Sequence, residues 1–250
     1  MNIKIIIITF LISLTVHGET QNLNCNEKLI PETKNEKVSI VTTSLLDSFQ
    51  TYMQTHSKTK ITRDIPKLNN SFKIGNKEQF VLLMSQLVDN VNSKILAERK
   101  YILNELKTNP NFVHNVKNKE ILNKYAVLDA TNKNEILTKI QTIDKEIAIA
   151  QAGIESGNGT SKYAKEFNNI YGIYDKPGQI SKFNSYEECL FRYAEILNTN
   201  KYYSKYRSLK QQGSSKSILV KAIAKDYCED KNYPKLILSY IKNMEKLLKS

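Results

Sequence analysis

The segment from Thr142 to Ser156 constrains the fold more than any other stretch. Ile143, Ile147, Ala148, Ile149, Ala150, Ala152 and Ile154 make it apolar nearly all round. A helix of that composition is buried on every side, so the remaining elements must wrap it. Glu155 stands at its C-terminal end, followed by the open turn Gly157-Asn158-Gly159 and a new helix start at Thr160-Ser161. A carboxylate delivered to the edge of a core is desolvated, and the helix C-terminus disfavours its charge. Both effects favour the protonated form, the condition a general acid needs near neutral pH. An exposed helix-end Glu is the plainer alternative, common on globular surfaces.

The other periodicities supply the wrapping. Asn76 with Gln79 approximates a capping box, and Phe80, Leu83, Met84, Leu87, Val88, Val91, Ile95 and Leu96 recur at helical spacing. A long amphipathic helix is therefore predicted to about Leu106, with a break at Asn109-Pro110. Short helices are predicted at about Lys119–Tyr125 and Asn134–Ile140, and another over Lys162–Phe167. Tyr171–Tyr174 and Gln179–Phe183 flank Asp175-Lys176-Pro177-Gly178, a turn composition, and read as a β-hairpin. Ser185 with Glu188 opens a helix to about Leu197. Further helices fit Tyr202–Gln211, Ser215–Asp226 and Tyr233–Leu248. The expected fold class is mainly α with one small β-hairpin.

The N-terminus reads as a secretory signal peptide over residues 1–18. Lys4 precedes the apolar run Ile5–Val16, and small residues end it at Val16-His17-Gly18. The run is short for a span of roughly 20 residues, so an uncleaved anchor is the competing reading. The mature protein is expected to be exported, periplasmic or secreted, without an integral span. Residues 19–60 read as a polar, partly flexible arm, with one helix possible at Val38–Met53. Residues 61–250 read as the folded domain, divided into leading helices (61–141) and a core (142–250).

The formal net charge of +12 permits association with anionic polymers. The lysines are spread without a cluster or recognition motif, so no nucleic-acid partner is expected and a solvated basic surface explains them. His17, His56 and His114 sit apart from Cys and carboxylates, so neither a metal nor a cofactor is expected. Cys189 and Cys228 are candidates to pair in an oxidising compartment.

The stretch AQAGIESGNGTSKYAKEFNNIYGIY (Ala150–Tyr174) resembles the signature of the peptidoglycan-cutting glucosaminidases of glycoside hydrolase family 73, most closely the Bax-type bacterial branch. Phe80–Leu103 is similar to that branch's leading helix, and Lys124–Val127 to the segment before its catalytic helix. Phe183–Glu188 is similar to the hairpin exit, and Tyr227–Tyr233 to the C-terminal Tyr-Ala-Thr-Asp-Pro-x-Tyr element. The resemblance implies a lysozyme-like helical domain with the hairpin beside a glycan groove, and cleavage after N-acetylglucosamine.

By position it makes Glu155 the general acid and Tyr233, or else Tyr227, the aromatic facing the reacting sugar. Asn158, Asn169, Gly172, Tyr174 and Tyr227 are implied along the groove as substrate-binding residues. Turn and packing chemistry explains Gly172 equally well. Many members carry a second carboxylate on a longer hairpin. Here Asp175 is the hairpin's only acid, and a turn-former explains it better than a catalytic base. Substrate assistance, in which the 2-acetamido oxygen attacks the anomeric carbon, is then the expected mechanism. Asn158 stands where many members have an aromatic. A lytic transglycosylase, or a glycan-binding protein that kept the fold, are the alternatives. A monomer is expected.

Overall fold

The computed structural model describes residues 13–16, 19–22 and 76–249. The rest of the expected signal peptide and of the expected polar arm, and the first part of the expected domain (61–75), lie outside the described residues. Near the N-terminus, β1 (Ser13–Val16) pairs antiparallel with β2 (Glu19–Asn22), Ser13 opposite Asn22.

From Asn76 onward the chain is helical, as expected. Helix α1 (Lys77–Thr108) starts where the Asn76 side chain accepts from the Gln79 N–H at 2.9 Å. It buries Phe80, Leu83, Met84, Leu87, Val88, Val91 and Ile95 on one face. Leu96, expected on that stripe, is 43% exposed because Ile95 beside it takes the inward position. The helix ends at Asn109, held extended by Pro110, as the residue before a proline avoids the α region.

Helices α2 (Val116–Lys124) and α3 (Lys133–Lys139) follow, capped by the side chains of Asn115 and Asn132. Helix α4 (Lys145–Ser156) is the buried element the composition demands, with Ile147 through Ile154 all inside. It begins later than Thr142 because Asp144 caps it, accepting from the Ile147 N–H at 3.1 Å. Ile143 is instead clamped by Asn92 of α1, which bonds both its N–H (2.8 Å) and its carbonyl (3.1 Å).

Helix α5 (Lys162–Phe167) leads into the hairpin of β3 (Tyr174–Lys176) and β4 (Gln179–Ile180), paired antiparallel with Tyr174 opposite Ile180. The strands are shorter than the expected Tyr171–Tyr174 and Gln179–Phe183, and the turn narrows to Pro177-Gly178. The reason is local. Gly172 turns the chain at φ 63°, and the Asn169 carboxamide occupies backbone groups of Ile173 and Ser181.

Helices α6 (Tyr186–Thr199), α7 (Ser204–Gln211), α8 (Lys216–Tyr227) and α9 (Tyr233–Lys249) complete the domain. Ser185 caps α6 as expected, accepting from Glu188 N–H at 3.1 Å. Helix α4 packs against α1 and α9, α1 also against α6, and α8 against α7 and α9. Among the described residues no helix is long and apolar enough to cross a membrane.

The candidate Cys189–Cys228 bridge does not form. Cys189 is a free, fully buried thiol, whereas Cys228 is disulfide-bonded. Burial pushes the Cys189 thiol up to about 12, so it stays protonated and inert.

Candidate active site

The last turn of α4 is built to present one side chain. Gly157 caps the helix in the left-handed region (φ 58°, ψ 46°), its N–H bonding the Gly153 carbonyl. Asn158 (φ 57°) and Gly159 (φ 79°) continue left-handed, so the chain folds back tightly. Ser156 ties the turn from inside: its hydroxyl accepts from the Gly159 N–H at 2.8 Å, and its carbonyl accepts from the Ser161 N–H at 2.9 Å. Asn158 is pinned by Tyr240 of α9, whose hydroxyl donates to its Oδ1 at 2.6 Å. Tyr240 in turn lies against Gly153, where an added Cβ would sit 2.2 Å from the phenolic oxygen. Gly153 is therefore a close approach between α4 and α9.

Glu155 is half-buried within this frame. Its Oε1 accepts from the Tyr233 hydroxyl at 2.7 Å. Burial pushes its carboxyl up to about 7 from an ordinary 4.5, opposed by the Tyr233 hydrogen bond, which favours the charged form. Tyr233 opens α9 and is 1% exposed; burial and the neighbouring Glu155 raise its own phenol well above the ordinary range. Its ring lies parallel to that of Tyr227, with centroids 5.7 Å apart. The Tyr227 hydroxyl donates to the Tyr171 carbonyl at 2.9 Å, which joins the end of α8 to the segment before the hairpin.

The structure thus gathers Glu155, Tyr233 and Tyr227 into one cluster. Asn169 has a different place. It is 2% exposed, and its amide donates to the carbonyls of Ile173 (2.7 Å) and Ser181 (3.0 Å) while its oxygen accepts from the Ile173 N–H (3.0 Å). With its amide committed in this way, Asn169 braces the hairpin rather than offering groups to a ligand. Tyr174 is 4% exposed at the head of β3, so most of its surface is packed. Asp175 is exposed one residue further, accepting from the Ser181 hydroxyl at 2.6 Å. That bond ties one hairpin strand to the residue after the other, which suits a turn-supporting role.

Three participants were missed at the level of sequence. Gln151 bonds the cluster through Tyr233, Tyr240 bonds the turn through Asn158, and Tyr193 bonds Gln151. The signal for Gln151 was available: it is the one polar residue inside an Ala/Ile helix, four positions before Glu155 and so on the same face. Among the described residues no group of three or more His, Cys, Asp or Glu could hold a metal.

Residues 131–246 match the glucosaminidase family model, described as mannosyl-glycoprotein endo-beta-N-acetylglucosaminidase. The leading helix α1 lies ahead of the matched region. Protein bax of Escherichia coli K12 is 26% identical over 183 residues, covering 67% of this chain and 66% of that protein. The chain therefore spans slightly less than two thirds of that relative. The catalytic domain of the autolysin Auto from Listeria monocytogenes aligns over 86% of this chain and 100% of its own, with 15% identity and a TM-score of 0.42.

Proposed function

We propose that the protein, whose residues 131–246 match the glucosaminidase family model, is an exported endo-β-N-acetylglucosaminidase that hydrolyses the glycan strands of peptidoglycan. Glu155 is the general acid in this reading. The observation that carries it is a half-buried carboxyl at the edge of an open turn, raised to about 7 and held by Tyr233. A carboxyl with that pKa is still protonated in useful amount near neutrality, yet acidic enough to give its proton up.

The reaction follows from the groups available. Glu155 gives its proton to the glycosidic oxygen, and the leaving chain departs as an alcohol. The 2-acetamido oxygen of the cleaved N-acetylglucosamine attacks its own anomeric carbon as that bond breaks, standing in for a second carboxylate. Water then adds at the anomeric carbon, giving a proton to the Glu155 carboxylate as its oxygen bonds there. The bond from the anomeric carbon to the acetamido oxygen breaks, which restores the acetamido group and the acid form of Glu155. Asp175, the only acid on the hairpin, is tied to Ser181 and exposed, which supports substrate assistance over a two-carboxylate scheme. Tyr233 orients the acid, Tyr227 backs Tyr233, and Asn158 and Gly172 border the groove. The leader at residues 1–18 directs export.

A lone candidate carboxylate also suits a lytic transglycosylase, in which the muramyl 6-hydroxyl captures the anomeric carbon in place of water. Glu155→Gln separates catalysis from mere glycan binding: turnover on purified peptidoglycan falls by several orders of magnitude while the variant stays folded and still binds. Equal activity in that variant defeats the assignment.

A further inference from the structure

The Glu155 carboxyl ends a buried chain of hydrogen bonds that begins on another helix. Tyr193 of α6 donates its hydroxyl to Gln151 Oε1 at 2.6 Å. Gln151 Nε2 donates to the Tyr233 hydroxyl at 3.3 Å, and Tyr233 donates to Glu155 Oε1 at 2.7 Å. Gln151 is fully buried, Tyr233 is 1% exposed and Tyr193 is 2% exposed. A buried amide costs stability unless its groups are bonded, and an apolar side chain would pack on this helix without that cost.

Each bond fixes the direction of the next. The Gln151 oxygen is taken by Tyr193, so the amide presents an N–H to Tyr233. The Tyr233 oxygen accepts there, so its own proton is free to go to Glu155. Glu155 Oε1 is then an acceptor, and a proton on the carboxyl belongs on Oε2. In the reversed arrangement Tyr233 would donate to Gln151, and the carboxyl would aim its proton inward at Tyr233, away from any substrate. The stack on Tyr171, with centroids 4.0 Å apart and planes 5° from parallel, fixes the Tyr193 ring so that its hydroxyl stays within reach of Gln151 Oε1. Tyr171 is anchored in turn through its hydroxyl to the Ala148 carbonyl of α4 at 3.1 Å.

We propose that Gln151, oriented by Tyr193, is a positioning residue that locks Tyr233 as donor to Glu155 Oε1 and so keeps the transferable proton on Oε2. The inference rests on Glu155 being the general acid. The titratable groups facing Glu155 are Tyr233 and Tyr227, both held neutral because burial raises their phenols well above the ordinary range.

The test uses the full chain carrying Gln151→Met, Tyr193→Phe or both. Two quantities are measured: the carboxyl titration of Glu155 by carbon-detected NMR, and the pH dependence of peptidoglycan cleavage. In Gln151→Met the Glu155 midpoint rises, because Tyr233 is no longer obliged to donate to the carboxylate. There kcat drops by about tenfold or more with KM unchanged. Tyr193→Phe shifts both quantities the same way by less, and the double variant is no worse than Gln151→Met alone. Tyr193→Phe preserves the ring stack and decides the matter if Gln151→Met does not fold. An unmoved Glu155 titration in the folded variants, a loss confined to KM, or additive losses overturns the proposal. If the wild-type chain cleaves no peptidoglycan, the hydrolase reading falls while the titration still decides the relay.

Discussion

The Tyr233 hydroxyl reaches Glu155 Oε1 at 2.7 Å across 78 positions of sequence, from the first residue of α9 to the last turn of α4. That bond pulls the carboxyl toward ionisation while burial pushes it the other way, and burial wins. Removing the donor with Tyr233→Phe should therefore raise the Glu155 pKa above about 7. The basic limb of the activity profile would move to higher pH and kcat would fall, with the parallel stack on Tyr227 retained. A pH–rate series on peptidoglycan checks the direction; a limb that moves down contradicts it.

The same carboxyl links stability to pH. A folded-state pKa of about 7 against an ordinary 4.5 means the native state holds the proton more tightly than the unfolded chain. Stability is then undiminished below the unfolded value and is lost as pH rises through the folded one. Glu155→Gln removes that loss. It should match the wild type near about pH 4 and exceed it by on the order of 3 kcal/mol near about pH 8. Denaturant melts at the two pH values measure the difference; equal differences at both would show that Glu155 is not desolvated.

Gly153 is a close approach between α4 and α9. A Cβ there would lie 2.2 Å from the Tyr240 oxygen and 2.4 Å from the ring carbon that bears it. Gly153→Ala should cost about 1–3 kcal/mol through overpacking, displace Tyr240 and free Asn158. Tyr240→Ala in the same chain should recover part of the strain. Thermal melts of the single and double variants check this, and a Gly153→Ala protein as stable as wild type would contradict the close approach.

Much of this fold could be read from the chain because its helix signals are local. Asn76, Ser185 and the apolar stripe of α1 announce themselves within a few residues. Glu155 was legible for the same reason, as a charge misplaced at the end of an Ile/Ala helix. The hairpin strands were drawn too long because Asn169, several residues away, takes over the backbone groups of Ile173 and Ser181. Composition cannot reveal such a side-chain substitute for a ladder. Tyr193 and Tyr240 were missed because a tyrosine on a core face looks like packing until its hydroxyl finds a partner on another helix. The Cys189–Cys228 pairing failed because spacing along the chain says nothing of proximity.

Asn169 carries a prediction of its own. Asn169→Ala strands the Ile173 N–H and the Ser181 carbonyl, and leaves the Ile173 carbonyl with the Ser181 N–H as its remaining donor. It should destabilise the domain by about 3 kcal/mol, as unsatisfied buried groups do. At a temperature where the variant is folded, KM should change more than the Glu155 titration does, because the hairpin and not the acid is disturbed. A variant with wild-type stability would show that the brace is dispensable.

Asp175→Asn keeps the hydrogen bond to Ser181 available and removes only the charge. Substrate assistance predicts activity within a few-fold of wild type, whereas a catalytic base at this position predicts a loss of several orders of magnitude.

The most direct measurement is mass spectrometry of purified peptidoglycan digested by the wild-type chain and by Glu155→Gln. The account predicts new reducing N-acetylglucosamine ends with the wild type and almost none with the variant. Anhydro-muramyl ends as the sole products, or equal digestion by Glu155→Gln, would contradict it.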